Sequence, residues 1–176
     1  DKLRGILNGI QINSGNIKFE NKNNLKLTGS IKADVNLNRD LITKIIDKKK
    51  ILEFEDIRIN GFTDNIFKIN FDQTLKLIDY KIKTSGYIKN SHLKFKSPKI
   101  LEFFVNPIET LSLEKTDFEI NYNKNGEKIF DFRGFHKLNN KSSQKFSLKN
   151  INKKDVKNIS LEVFLNNEFK IPLINL

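Results

Sequence analysis

The sequence predicts a mostly β chain of long antiparallel strands with one short helix. The first observation is a strict alternation of apolar and polar residues over residues 25–37. Successive side chains of a strand face opposite sides of its sheet, so this pattern is typical of a strand with one apolar and one wet face. The second observation is a set of breaks rich in Asn and Gly, which favour the tight turns of hairpins.

The two-residue period recurs along most of the chain. It predicts strands at residues 5–12, 16–20, 25–37, 51–60, 65–71, 79–89, 92–96, 117–123, 128–137, 144–148, 159–165 and 169–173. Turn signals between them are residues 21–24, Asn60-Gly61, Asn90-Ser91, Asn125-Gly126, Asn139-Asn140 and Asn166-Asn167. The clearest hairpin is predicted at Asn125-Gly126, because alternating apolar residues flank that pair on both sides.

One segment breaks the two-residue period. Its apolar residues fall at helical spacing: Leu41, Ile42, Ile45 and Ile46. Three lysines at 48–50 suit the negative end of a helix dipole. We therefore expect one short amphipathic helix at about residues 39–50, packed on the sheet to close its end. A gate or a contact with a membrane surface is the functional alternative.

Composition limits the kind of protein. The 176 residues contain no Cys, which excludes disulfides, thiolate metal sites and Cys nucleophiles. They also contain no Met, and no run approaches the roughly 18 apolar residues of a membrane-spanning helix. We expect residues 1–176 to be a single β-rich segment excised from a longer repetitive β protein, with any anchor outside it.

The net charge of +11 admits two interpretations. A basic chain suits a polyanion or an anionic lipid surface. However, only four of the 32 basic residues are Arg, and Ile, Lys, Asn and Phe dominate throughout, which is typical of an A/T-rich genome. Nucleic-acid readers favour Arg for bidentate contacts, so we expect no nucleic-acid partner.

Catalytic motifs are missing from the sequence. His92 and His136 lie in predicted strands, without the spacing of a metal site, and Ser142-Ser143 lies in a polar loop. No glycine-rich phosphate loop occurs. We expect no enzyme activity, no metal and no cofactor, and we expect the function to lie in a surface.

The apolar face of the predicted sheet must be covered. A second sheet can cover it as a sandwich, the sheet can close as a barrel, or it can curl into a trough that holds acyl chains. The 15 Phe residues suit a closed core and an apolar lining equally. A Ser/Thr-Gly-x-Ile-Lys pattern at residues 14–18, 28–32 and 85–89 suggests similar strands that bend at the glycine.

Three stretches carry a resemblance to a known family. They are residues 14–19, residues 27–37 followed by the predicted helix, and residues 118–122 continuing to 132–134. In these stretches the chain resembles a segment of the C-terminal β region of the AsmA-like family of envelope proteins. The resemblance implies a long antiparallel meander curled into an elongated open groove or half-barrel.

The resemblance also implies a function. It implies that the groove binds phospholipid acyl chains and transfers them between the inner and outer bacterial membranes, as part of outer-membrane biogenesis. The implied location is the periplasm, with an anchor in the inner membrane through a helix outside this segment. The implied partners are phospholipids and neighbouring β segments of the same chain, with membrane contact through parts outside this segment.

Ten residues on one predicted face are the candidates for lining such a groove. They are Leu25, Leu27, Ile31, Val35, Leu37, Phe118, Ile120, Tyr122, Phe130 and Phe132. The alternative is a closed β-sandwich or jelly roll, used as a structural or adhesion module without a lipid ligand.

Overall fold

A computed structural model describes residues 3–7, 9–21, 24–45, 48–101, 105–153 and 156–164. Its strands are β1 (Gly5–Leu7), β2 (Ile10–Asn21), β3 (Leu25–Asn38), β4 (Phe54–Phe71), β5 (Leu77–Lys99), β6 (Ile108–Asn123), β7 (Lys128–Leu138), β8 (Gln144–Lys153) and β9 (Val156–Val163). Two short helices, α1 (Arg39–Ile45) and α2 (Lys48–Ile51), lie between β3 and β4.

The nine strands form one antiparallel sheet in which each strand pairs with the next along the chain. The edges β1 and β9 do not pair with each other, so the sheet is open. This arrangement confirms the predicted mostly β meander. It differs from the alternative architecture, since a closed sandwich would need a second sheet.

Two of the predicted turns are wrong. Asn60-Gly61 lies inside β4 and Asn90-Ser91 lies inside β5, so each pair of strands predicted around them is one long strand. Both strands are paired on two sides, and those ladders outweigh the local turn preference of Asn and Gly. The register shifts at Asn60/Gly61 as a β-bulge, and Asn60 Nδ2 donates to Asn90 Oδ1 at 2.8 Å.

Other predicted boundaries are confirmed or corrected. Turns at Asn125-Gly126 and Asn139-Asn140 are confirmed, with positive φ at Gly126 and at both of the latter residues. The predicted strand 5–12 is instead the β1–β2 hairpin, with Gly9 at φ +84° in its turn. The strand predicted at 169–173 and the Asn166-Asn167 turn lie outside the described residues.

The helical segment packs as predicted, and its described parts are α1 and α2. Asn38 Oδ1 accepts a hydrogen bond from Leu41 N at 2.9 Å, which caps the start of α1. Ile42 of α1 and Ile51 of α2 are buried against Ile57 of β4. Leu37, Phe54, Ile59 and Leu93 surround this cluster. The helices therefore cover one end of the sheet, the helix end; the opposite end, with the β4–β5 and β6–β7 turns, is the hairpin end.

Candidate functional site

The register divides the sheet into two chemically different faces. Residues directly opposite each other on paired strands share a face. Leu37 of β3 lies opposite Ile59 of β4, and Leu27 lies opposite Ile69, so apolar residues of the two strands meet towards both ends of this ladder. The other face carries ion pairs, such as Lys32 Nζ with Asp64 Oδ2 at 3.4 Å.

The sheet curves around its apolar face. A cavity of about 650 Å³ on that face is lined by Ile10 and Ile12 of β2 on one side and by Phe118, Ile120 and Phe132 on the other. In a flat sheet β2 and β6 would lie about 19 Å apart, at roughly 4.8 Å per strand. They can line one cavity only because the sheet is curled. We term this concave apolar face the trough and the opposite face the convex face.

Six of the ten predicted lining residues lie in the wall of this cavity. They are Ile31, Val35, Leu37, Phe118, Ile120 and Phe132. The other four, Leu25, Leu27, Tyr122 and Phe130, share the same face by register but lie nearer the hairpin end. The alternation therefore identified one face of the sheet, and the curvature selects the part of it that encloses space.

Sequence reasoning missed several lining residues. Ile10, Ile12 and Ile59 lie in predicted strands but were not assigned to the trough, because their face depends on the strand that each one pairs with. Thr63 and Asn65 line the cavity within a stretch whose pattern is more polar than apolar. Only the pairing of β4 with β3, which places Asn65 opposite Ile31, could have identified them.

A small polar network lies in the floor of the trough. Asn65 Oδ1 accepts from Thr84 Oγ1 at 2.9 Å, and Asn65 Nδ2 donates to Thr63 Oγ1 at 3.1 Å and to the carbonyl of Ile31 at 3.2 Å. Polar groups that are hydrogen-bonded to one another can be covered by apolar material at small cost. The floor thus stays compatible with an apolar occupant.

Polar side chains also mark the hairpin end of the trough. The rings of Tyr80 and Tyr122 stack with centroids 5.5 Å apart, and Lys128 Nζ lies 4.8 Å from the Tyr122 centroid. Hydrogen bonds from Tyr80, and then from Lys128, hold the pKa of the Tyr122 hydroxyl below its ordinary value. Donating to Tyr122 raises the pKa of Tyr80.

The two histidines occupy different environments. His136 is buried with its ring edge against Phe146, at 5.9 Å between centroids, and burial lowers its pKa. His92 Nδ1 lies 3.3 Å from Ser112 Oγ. Across the described ranges, no group of His, Asp and Glu is arranged to hold a metal ion. No helix in the same ranges has the length and apolarity to cross a membrane.

Comparison with known proteins gives no match to a family model, to a curated protein or to a solved structure. The trough is therefore interpreted from its own residues.

Proposed function

We propose that the trough binds the acyl chains of phospholipids and that the chain transfers them between the inner and outer bacterial membranes. The observation that supports this most is an apolar concave face without a second layer over it in the described part of the chain. Phe19 and Leu161, on opposite walls of the sheet, are each 61% exposed although both lie on the apolar face. A large apolar surface left open in this way favours an apolar partner.

The volume of the cavity in the trough supports a lipid as its ligand. This cavity of about 650 Å³ is within the range of about 300–1,000 Å³ of small-molecule sites. Each CH₂ group of an acyl chain moved from water into such a site gains about 0.8 kcal/mol. Flexible apolar chains fit an elongated wall of Ile, Leu, Val and Phe, and transfer along it needs no chemical step.

The open edges support a continuous path. In the described residues β1 and β9 each pair on one side only, and an unpaired edge can accept a further strand. Neighbouring β segments of the same chain would lengthen the trough by continuing this meander. In this proposal the protein resides in the periplasm, and membrane contact and anchoring come from parts outside the segment.

The test is native mass spectrometry with lipid extraction on protein purified from bacterial cells. The variant Val35→Glu, Ile120→Glu places two carboxylates in the wall of the trough. The matched control Asn36→Glu, Ser147→Glu adds the same charge on the convex face, where Ser147 lies opposite Arg133. We expect co-purified phospholipid in the parent and control, and its loss in a trough variant that keeps the far-ultraviolet circular dichroism of the parent.

A different result would favour the other candidate role. If the parent carries no lipid, also after incubation with phospholipid vesicles, the proposal is overturned. The chain would then be a structural or adhesive module whose apolar face is covered by protein.

A further inference from the structure

One register row at the hairpin end breaks the apolar character of the trough. Tyr122 of β6 lies opposite Lys128 of β7, which lies opposite Asn152 of β8, which lies opposite Lys157 of β9. All four positions are on the concave face, since each lies two residues along its strand from Ile120, Phe130, Asn150 or Ile159 of that face. We term these four residues the polar row.

In the described part of the chain, no carboxylate pairs with the positive charge of the polar row. Lysines of the convex face pair with acids, as Lys83 does with Glu119 at 2.8 Å and Lys137 with Glu114 at 2.6 Å. Among the described residues, Lys128 and Lys157 have no such carboxylate partner. The described concave positions of β7–β9, and those of β6 from Phe118 to Tyr122, hold no Asp or Glu.

Among the described residues, one polar group of the row and one beside it lack partners. Asn152 Oδ1, and Asn150 Oδ1 two residues along β8, are shielded from solvent without a hydrogen bond. Buried polar atoms are nearly always paired in proteins, so such atoms point to an absent partner. An Asn amide can turn either its oxygen or its NH₂ group toward that partner. Beside it, the hydroxyl of Tyr122 is already oriented by Tyr80 and Lys128.

We propose that the polar row binds the anionic phosphate group of a lipid whose acyl chain lies in the trough. This inference rests on the proposed function and deepens it, because it fixes the polarity of the ligand. The phosphate lies between Lys128 and Lys157, which are two strands or about 10 Å apart, within reach of both flexible side chains. The two ammonium groups neutralise it, and charge-assisted hydrogen bonds from them, from Tyr122 and from an Asn amide hold it in place.

The apolar wall beside the polar row orients the acyl chain of the lipid. Ile120 and Phe132 line the enclosed cavity, and Ile120 lies two residues, about 7 Å, from Tyr122 toward the helix end. From there the trough continues to the buried cluster of Ile42, Ile51 and Ile57, which covers its far end. An acyl chain therefore runs from the polar row toward the helices, and the headgroup stays at the hairpin end.

The test compares three soluble probes by isothermal titration calorimetry: dihexanoyl phosphatidic acid, dihexanoylglycerol and inorganic phosphate. The variant Lys128→Gln, Lys157→Gln removes both charges of the row. The matched control Lys68→Gln, Lys81→Gln removes two charges that face each other on the convex side. We expect the parent and control to bind the phosphate-bearing lipid about ten- to a hundredfold more tightly than the neutral lipid. We expect the row variant to bind both lipids alike.

Each other outcome is decisive. A parent that binds neither lipid overturns the proposed function together with this inference. A parent that binds both lipids equally, or a row variant that keeps the preference, overturns the polar row alone and leaves the trough as an acyl-chain site. Inorganic phosphate bound as tightly as phosphatidic acid, and lost in the row variant, identifies a free-phosphate site and overturns the lipid assignment.

Discussion

The ring of Phe67 lies over Gly29, its direct partner across the β3–β4 ladder on the concave face. A Cβ built on Gly29 would come within 2.7 Å of Phe67 Cζ. Phe118 covers Gly86 across the β5–β6 ladder in the same way, again at 2.7 Å. In both pairs glycine is required because a backbone carbonyl, that of Asn16 beside Gly29 and that of Phe62 beside Gly86, lies even closer to the Cβ position than the ring does. The register does not shift at either glycine, so the bend expected there from the sequence is not a bulge.

Gly29→Ala should destabilise the fold by about 1–3 kcal/mol, the usual cost of overpacking. The added methyl group must displace the Phe67 ring, and it also meets the backbone carbonyl of Asn16. Urea unfolding followed by circular dichroism measures the change. Ser30→Ala, one residue along on the convex face, is the control and should stay within about 0.5 kcal/mol of the parent. Equal effects of the two variants would contradict the close approach.

Ile42→Ala should lower the free energy of unfolding by about 2–4 kcal/mol, since it empties space in the cluster of Ile42, Ile51 and Ile57. Leu52→Ala, at a side chain that is 56% exposed, should cost less than about 0.5 kcal/mol. Hydrogen exchange would locate the effect, with faster exchange expected in α1 before the sheet. If exchange in α1 is unchanged, the helices do not depend on this cluster.

From the contacts of Glu114 we expect the stability of the fold to depend on pH in the acid range. Its Oε1 accepts from Lys137 Nζ at 2.6 Å, and its Oε2 accepts from Ser143 Oγ at 3.2 Å; the Lys137 contact is the main cause of a lowered pKa. A lowered carboxyl pKa contributes stability above the ordinary Glu value of about 4.3, and that contribution is lost as the pH falls through the folded-state pKa. Glu114→Gln should therefore lose stability at pH 7 and approach the parent at the lowest pH.

Thermal denaturation at a series of pH values checks this prediction. Lys137→Gln serves as the second variant, and the double variant completes the cycle. A parent-to-variant difference that is the same at every pH would mean that Glu114 acts by packing rather than by charge.

From the burial of His136 we expect a second pH dependence of stability, nearer to neutral pH. Burial lowers its pKa, so the folded state prefers the neutral imidazole. Its contribution is fully present above the ordinary His pKa of about 6.5 and is lost as the pH falls toward the folded-state pKa. His136→Leu keeps an apolar neighbour for Phe146 and removes the titration.

Stability measured at about pH 7.5 and pH 5 should therefore differ less for His136→Leu than for the parent. His92→Leu, at a half-buried position on the convex face, is the control and should retain the difference seen in the parent. If His136→Leu retains it as well, the buried ring is not the group that titrates.

The strands and their two faces follow from the sequence because the two-residue period is local. Residues 25–37 show which side chains share a face whatever strand lies beside them, and the Asn125-Gly126 turn needs only its own backbone preference. The short helical segment is equally local, since its apolar spacing lies within a few residues.

The tertiary structure decided everything that depends on which residues lie opposite each other. Asn60-Gly61 has the local chemistry of a turn, yet pairing with β3 and β5 on both sides keeps it inside one long strand. Curvature brings β2 and β6 to one cavity, and register places Lys128, Asn152 and Lys157 in one row from three strands. The sequence by itself determined the strands and the apolar face, because those are set by neighbours along the chain. Only the folded sheet determined the trough and the polar row, because those are set by neighbours across it.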